Sequence, residues 1–143
     1  PREWVNYGTI IQKATGGSWS NTTTGIWTYS GGFRVLMGSN VGGNPSGSYI
    51  GVQNQPPLNN WYHIAAVADG TNLSMYVNGQ FIGSVPISNI TYAPRTTNTS
   101  PITIGRRTTG SSSDRFNGKV DDIRIYNRAL TAEEIQHNYN LDK

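Results

Sequence analysis

Residues that could perform acid–base chemistry are scarce in this chain of 143 residues. Hydrolysis of a glycosidic bond needs two carboxylates that flank the bond, and no predicted strand presents two of them on one side. A Ser-His-Asp group is a weaker alternative, so we expect a protein that is not an enzyme. The eight carboxylates are Glu3, Asp69, Asp114, Asp121, Asp122, Glu133, Glu134 and Asp142, and the two histidines are His63 and His137.

Aromatic side chains are better candidates for a site, and the chemistry they offer is binding. The chain holds four Trp and eight Tyr. Trp19 lies in a polar loop, where it is either folded onto a sheet edge or offered to a ligand. Trp27 and Tyr29 are two residues apart in a predicted strand, so their side chains share one face. If exposed, this aromatic pair would stack on sugar rings. A buried position is slightly favoured for Trp27. The predicted ligand-binding residues are Trp19, Tyr29, Tyr49, Arg106 and Arg107.

The arginines of this set lie at the start of a loop that Arg115 ends. Arginine makes bidentate hydrogen bonds to planar oxyanions such as carboxylate. Arg106 and Arg107 would therefore suit an acidic glycan, a phosphate or a neighbouring subunit, and a solvated loop is the simpler alternative.

The composition narrows the class of protein. Charged residues make up only 13% of the chain and the net charge is +3, too small an excess to indicate nucleic acid. There is no cysteine, which rules out disulfides and thiolate metal sites. No apolar run approaches the roughly 18 residues of a membrane span, so we expect no membrane insertion. The length fits one domain, residues 1–143.

The elements that position these residues are strands. Asn78-Gly79 lies between two apolar runs and predicts a type I′ hairpin, and Asp69-Gly70 marks the preceding turn. Thr131, with Glu134 three residues later, predicts a capping box that begins a helix. The fold class is therefore all-β, an antiparallel β-sandwich (jelly roll) with one short C-terminal helix. The predicted strands are 9–13, 25–30, 33–37, 49–52, 61–68, 73–77, 80–85, 101–105 and 119–126.

Three stretches carry a family resemblance: Trp61–Ala65, Leu73–Gly79 and Phe116–Ile135. Together they resemble the laminin G-like jelly-roll domains of the concanavalin A-like lectin/glucanase superfamily. The resemblance implies that Trp61 is a core tryptophan and that 119–126 is the closing strand. The Glu-x-Asp-x-x-Glu pattern of the superfamily's glucanases is absent here.

The same resemblance bears on metal binding, because many relatives bind calcium. Alternation puts Asp121 on the face of Ile123 and Ile125, which predicts an inward carboxylate. It is bonded either to loop amides or, with Asp114, to calcium. Calcium wants six to eight oxygens, so we expect any calcium effect to be modest.

The resemblance also implies strands upstream of Ile10, which are missing here. Either the sheet is short at one edge, or the strands come from elsewhere in the parent protein or from a partner chain. An open edge would favour self-association. The expected function is recognition: a carbohydrate-binding or adhesion domain of a secreted, cell-surface or virion-surface protein. The alternative is an assembly domain that decorates a capsid or fibre and binds protein.

Overall fold

A computed structural model describes residues 1–14, 22–39, 46–52, 56–87, 101–107 and 115–141. These residues form two antiparallel sheets and one helix. The first sheet has five strands in the order β4-β3-β2-β1-β8, and the second has three in the order β5-β6-β7. The elements are β1 (Gly8–Ala14), β2 (Thr22–Tyr29), β3 (Gly32–Ser39), β4 (Ser46–Val52), β5 (Ile64–Ala68), β6 (Asn72–Val77), β7 (Gln80–Pro86), β8 (Ile102–Ile104) and α1 (Ala132–Leu141).

The core lies between the two sheets, as the fold prediction requires. Its buried cluster consists of Phe33, Val35, Leu73, Met75 and Ile87. Alternation along β3 and β6 points the members of the cluster that lie on these strands inward. The sheet side that carries this cluster is called the inner face below, and the opposite side of the five-stranded sheet is called the outer face.

The hairpin at Asn78-Gly79 is confirmed. Both residues have positive φ, 52° and 77°, and β6 ends one residue before them while β7 starts one residue after. The loop thus has the two-residue geometry that favours Asn-Gly. The Asn78 carboxamide also accepts a hydrogen bond from the His63 N–H at 3.0 Å, which ties the turn to the start of β5.

Replacing Gly79 by valine is expected to lower the free energy of unfolding by roughly 1 kcal/mol or more. A β-branched residue is strained at this φ, and a Cβ at position 79 would lie 2.6 Å from the Gln136 side chain of α1. Thermal unfolding measures the change. Gly70→Val is the matched control, because its φ is also positive but nothing lies within 4 Å of its Cβ position. Equal losses of stability in both variants would show that the contact with Gln136 of α1 contributes nothing to the effect.

The capping box of α1 is also confirmed. The Thr131 N–H donates to the Glu134 carboxylate at 2.9 Å, and the Glu134 N–H donates to Thr131 Oγ1 at 3.2 Å. The Arg128 guanidinium donates to both oxygens of that carboxylate, at 2.7 and 2.6 Å. Ile135, in the following turn, is fully buried. The box therefore fixes the helix start beside the residue that anchors it.

Glu134→Gln is expected to flatten the stability profile in acid. The Arg128 hydrogen bond and the Thr131 N–H lower the pKa of Glu134 from 4.5 to about 2. A depressed folded-state pKa adds stability that is present above pH 4.5 and is lost as the pH falls towards about 2. The variant should thus melt below wild type at neutral pH and approach it in acid. Circular dichroism melts across this range measure it. Glu133→Gln is the control, because it leaves the Arg128–Glu134 pair intact. If both variants show the same dependence of melting temperature on pH, the Arg128–Glu134 pair is not the cause of the acid-dependent stability.

Two expectations about the closing part of the sandwich are wrong. Residues 119–126 form no strand among the described residues, and Ile125 is 69% exposed. Asp121, predicted to point inward, is exposed. The alternating pattern is local, whereas a strand needs a partner edge, and no ladder reaches this segment within the described residues.

The expectation for Trp61 is wrong as well. This side chain is 65% exposed and precedes β5, which begins at Ile64. Its place is taken by Tyr62, whose ring centroid lies 5.4 Å from that of Phe33. The Tyr62 hydroxyl donates to the Pro57 carbonyl at 2.7 Å. Because Tyr62 and Ile64 both pack against the core, alternation turns Trp61 outward.

Candidate functional site

The outer face of the five-stranded sheet carries Tyr29, one of the residues that the sequence indicated for binding. Register places Trp27 of β2 between Thr9 of β1 and Arg34 of β3. Inward residues such as Phe33 and Val35 flank Arg34 in β3, so alternation points Arg34 to the outer face. Tyr29, two residues beyond Trp27, shares this face.

At one end of this face three side chains form a stacked cluster, called the aromatic platform: Tyr7, Tyr29 and Arg34. The ring centroids of Tyr7 and Tyr29 lie 4.9 Å apart with the planes inclined by 52°. The Arg34 guanidinium lies over the Tyr29 ring, 4.0 Å from its centroid. Tyr7 is exposed, and the other two are half-buried. The cluster thus presents aromatic surface and a cation together.

Backbone contacts fix the platform. The β2–β3 turn is Ser30-Gly31, with φ of 51° and 78°. The Ser30 N–H donates to Asn6 Oδ1 at 2.9 Å, and the Tyr7 N–H donates to the Thr28 carbonyl at 2.8 Å. The segment before β1 is therefore bonded to the end of β2, which holds Tyr7 against Tyr29.

Trp27 is a buried residue and not part of an exposed pair. It is 2% exposed, and its ring covers Gly25, where a Cβ would collide with it. Thr9 and Gln12 beside it are buried too, and Gln12 Nε2 has no hydrogen-bond partner among the described residues. The favoured alternative for Trp27 holds, so among the described residues the stacking surface on this face is the platform.

The predicted arginines lie at the same end of the sheet. β8 ends at Ile104, and the Gly105 N–H donates to the Ile10 carbonyl at 2.9 Å. Arg106 and Arg107 follow, the first exposed and the second half-buried. β8 and β2 flank β1, which separates the arginines from Tyr29 by two strand spacings, roughly 10 Å. The topology thus puts two predicted groups at one end of the sheet.

The remaining predicted residues have mixed outcomes. Position 49 of β4 is the register partner of Leu36 in β3, and its side chain lies outside the described part of the chain. Trp19 and Asp114 lie outside the described residues. Sequence reasoning missed Arg34 and Tyr7 as site residues. The position of Arg34 between two inward apolar residues was the available signal, and Tyr7 had none.

The calcium ligands predicted from the sequence stay a prediction. Asp121 Oδ1 accepts a hydrogen bond from the Asp122 N–H at 2.9 Å, a local contact on an exposed loop. Over the described ranges, no three His, Asp or Glu side chains converge in the manner of a metal site.

A cleft of about 340 Å³ lies elsewhere, beside α1. It is lined by Arg128, Glu134, Tyr126 and Asn138 among others. Arg128 is paired with Glu134, and Asn138 Nδ2 donates to the Tyr126 hydroxyl at 3.3 Å. These polar groups already bond to one another. The cleft therefore belongs to the packing of α1, and it is not the candidate site.

Comparison with known proteins agrees with this architecture. A family model of laminin G-like domains, described as the concanavalin A-like lectin/glucanases superfamily, matches residues 1–136. The chain therefore belongs to this family, and its jelly-roll β-sandwich is the family's fold.

Among solved structures, the chain is similar to an S-layer domain-containing protein from Clostridium thermocellum, with 29% sequence identity and a TM-score of 0.46. The match covers 81% of this chain, which spans 55% of that one. No curated protein matches. In the part of the chain described, no helix has the length and apolar character needed to cross a membrane.

Proposed function

We propose that this domain is a non-catalytic recognition module that binds an acidic carbohydrate on its outer face, as part of a secreted, cell-surface or virion-surface protein. The aromatic platform is the observation that carries the proposal. Membership of a superfamily that includes lectins supports an extracellular binding role. The fold alone does not choose a ligand, so the choice rests on the chemistry of the platform.

The platform suits a sugar ring with an attached carboxylate or sulfate. The apolar C–H face of a pyranose packs on an aromatic surface, and Tyr7 and Tyr29 supply adjoining surfaces. The guanidinium of Arg34 is held over a ring, so it loses less freedom when an oxyanion binds. Arg106 and Arg107 at the same end of the sheet add positive charge that attracts such a ligand.

The distribution of carboxylates supports binding over hydrolysis. None of the described strands contains an aspartate or glutamate, whereas a glycosidase needs two carboxyl groups roughly 5–10 Å apart on either side of the bond. The outer face therefore lacks both the acid and the nucleophile among its described residues. The described strands also carry no negative charge that would repel an acidic glycan.

A glycan array probed with the purified domain, with and without a chelator, tests the proposal. We expect binding to uronic-acid, sialylated or sulfated glycans, weakening as salt rises because the contacts are charged and exposed. Chelation should change it little. Phe81→Ala is a matched control, since it removes an exposed aromatic from the other sheet. An array with no positive glycan, or with neutral glycans only, would overturn the acidic-glycan proposal.

An assembly role is the second candidate, and the exposed sheet edge favours it. β8 is the terminal strand of the five-stranded sheet, and both Ile102 and Ile104 are exposed there. Apolar side chains on an edge that no described strand pairs with promote pairing with another chain. Under this alternative the domain would bind protein in a capsid or fibre, and the glycan array would stay silent.

A further inference from the structure

A second arginine lies in register with Arg34, on the other side of the aromatic platform. Arg115 follows the described strands in the chain, and it forms a parallel β-bridge with Thr9 of β1. Thr9 pairs with Trp27 of β2, and Trp27 pairs with Arg34 of β3. These four residues are therefore consecutive partners in one row across the sheet, with an arginine at each end.

The side chains of this row belong to the outer face. Residues that are direct partners on neighbouring strands place their side chains on the same side of the sheet, and Arg34 lies on the outer face. Trp27 and Thr9, in the middle of the row, are 2% and 0% exposed. Arg34 is half-buried and Arg115 is exposed. The row thus has a buried middle and, at each end, a guanidinium group with access to solvent.

Main-chain hydrogen bonds fix the place of Arg115 beside β1. The Phe116 N–H donates to the Gly105 carbonyl at 3.0 Å, and the Gly105 N–H donates to the Ile10 carbonyl at 2.9 Å. Arg106 directly follows Gly105, so covalent geometry keeps the Cα atoms of Arg106 and Arg115 within roughly 8 Å of each other. The bond from Phe116 therefore brings another cation to the side of the sheet where Arg106 already lies.

Each end of the row is the diagonal neighbour of one platform tyrosine. Across the β2–β3 register, Arg34 is diagonal to Tyr29, and its guanidinium lies 4.0 Å from the Tyr29 ring centroid. Across the bridge at Thr9, Arg115 is diagonal to Tyr7, which is two residues earlier in the chain. Long side chains reach such diagonal neighbours. The order along this end of the sheet is thus Arg34, Tyr29, Tyr7 and Arg115.

The charge of Arg115 is available to a ligand. Within the described ranges its side chain makes no hydrogen bond or ion pair. The carboxylate of Glu3 accepts a hydrogen bond from Asn117 Nδ2 at 3.1 Å. A guanidinium that is not already paired keeps its donors for a bidentate contact with an oxyanion.

We infer that the outer face binds an oligosaccharide with acidic groups on at least two of its sugar rings, an inference that rests on the proposed function. One acid binds Arg34, another binds Arg115, and a ring between them packs on the two tyrosines of the platform. The two arginines belong to segments three strand spacings apart, roughly 14 Å, which is wider than one sugar ring. Arg115 therefore determines specificity for a chain with several acids over a sugar with one.

Titration calorimetry with two β-1,4-linked tetrasaccharides of equal length tests this on the 143-residue chain. The first, the poly-acid, has glucuronic acid at every position and so offers acids at every spacing. The second, the mono-acid, has a single glucuronic acid, and glucose at the other positions. We expect the poly-acid to bind at least about tenfold more tightly. Equal affinity, or no binding of the poly-acid, would overturn the inference.

Arg115→Gln separates a specific contact from general attraction. Binding of the poly-acid should fall at least about tenfold, and binding of the mono-acid at most about twofold, because its acid can pair with Arg34 instead. Lys119→Gln is the matched control: it removes the same charge from an exposed residue of the same segment, for which no bridge to β1 is found in the described chain. It should leave both affinities unchanged. Equal losses in the two variants would attribute the effect to net charge and overturn the role of Arg115.

Melting temperatures show whether Arg115→Gln acts through the fold. Arg115 is exposed, so the variant should melt as wild type does. A lower melting temperature together with loss of both tetrasaccharides would make Arg115 a structural residue and overturn the inference. Failure of the proposed function looks different, because then the wild-type chain binds no acidic glycan on the array. If acidic glycans do bind but Arg115→Gln binds the poly-acid as wild type does, only the second arginine contact is wrong.

Discussion

Replacing Trp27 by alanine is expected to lower the free energy of unfolding by roughly 3–5 kcal/mol, the usual cost of truncating a buried large aromatic. The side chain is 2% exposed, and its ring covers Gly25 on its own strand. Its removal leaves a cavity in the middle of the sheet, where β1 and β3 flank β2. For a chain of this size that corresponds to a melting temperature lower by roughly 6–20 °C.

Trp61→Ala is the matched control for this experiment. The same substitution at a side chain that is 65% exposed should change stability by no more than about 0.5 kcal/mol. Thermal and urea unfolding of the two variants beside wild type give both values. If Trp61→Ala proves the more damaging, Trp61 is the core tryptophan that the family resemblance implied, and the assignment of that place to Tyr62 is wrong.

The features that the sequence predicted well depend on neighbours within a few residues. The Asn78-Gly79 turn follows from the φ values that only a few residues tolerate. The capping box follows from the spacing of Thr131 and Glu134, which are close in any helix start. Both depend on residues that are close in the sequence, so a single sequence is enough to predict them.

The errors come from features that depend on distant strands. A strand pattern shifted by one residue exchanges its two faces, and this is what separates Trp61 from Tyr62. For Asp121, alternation predicts a buried face only where residues 119–126 pair with another strand, and no described strand pairs with them. Alternation tells which residues share a side, but the side that is covered depends on the other sheet.

The same distinction applies to the site. Tyr29 was found because its own strand shows the alternation with Trp27. Arg34 was missed because its place beside the Tyr29 ring depends on the β2–β3 register, in which Arg34 pairs with Trp27. Tyr7 precedes β1 and has no periodic pattern around it. Its contact with Tyr29 exists because the chain before β1 is bonded to the end of β2.

Replacing Tyr29 by alanine is expected to weaken binding of an acidic glycan at least about tenfold, which is ~1.4 kcal/mol. Tyr29 contacts both other members of the platform, so its loss removes a stacking surface and releases the Arg34 guanidinium. Aromatic and arginine anchors commonly carry most of the binding energy of a site. Titration calorimetry against the strongest array hit measures it. Tyr29→Phe keeps the ring and should bind almost as wild type.

Trp19→Ala tests the other tryptophan that the sequence predicts to stack on the ligand. Trp19 lies outside the described residues. A loop tryptophan that serves a ligand should lose binding and keep its melting temperature, whereas a packed one should lose roughly 3–5 kcal/mol of stability. Phe81→Ala controls for unspecific loss of aromatic surface and should bind normally. If Tyr29→Ala and Trp19→Ala both fold and both bind the glycan as wild type does, stacking on the outer face is not the basis of recognition. The assembly role would then be the better account of the domain.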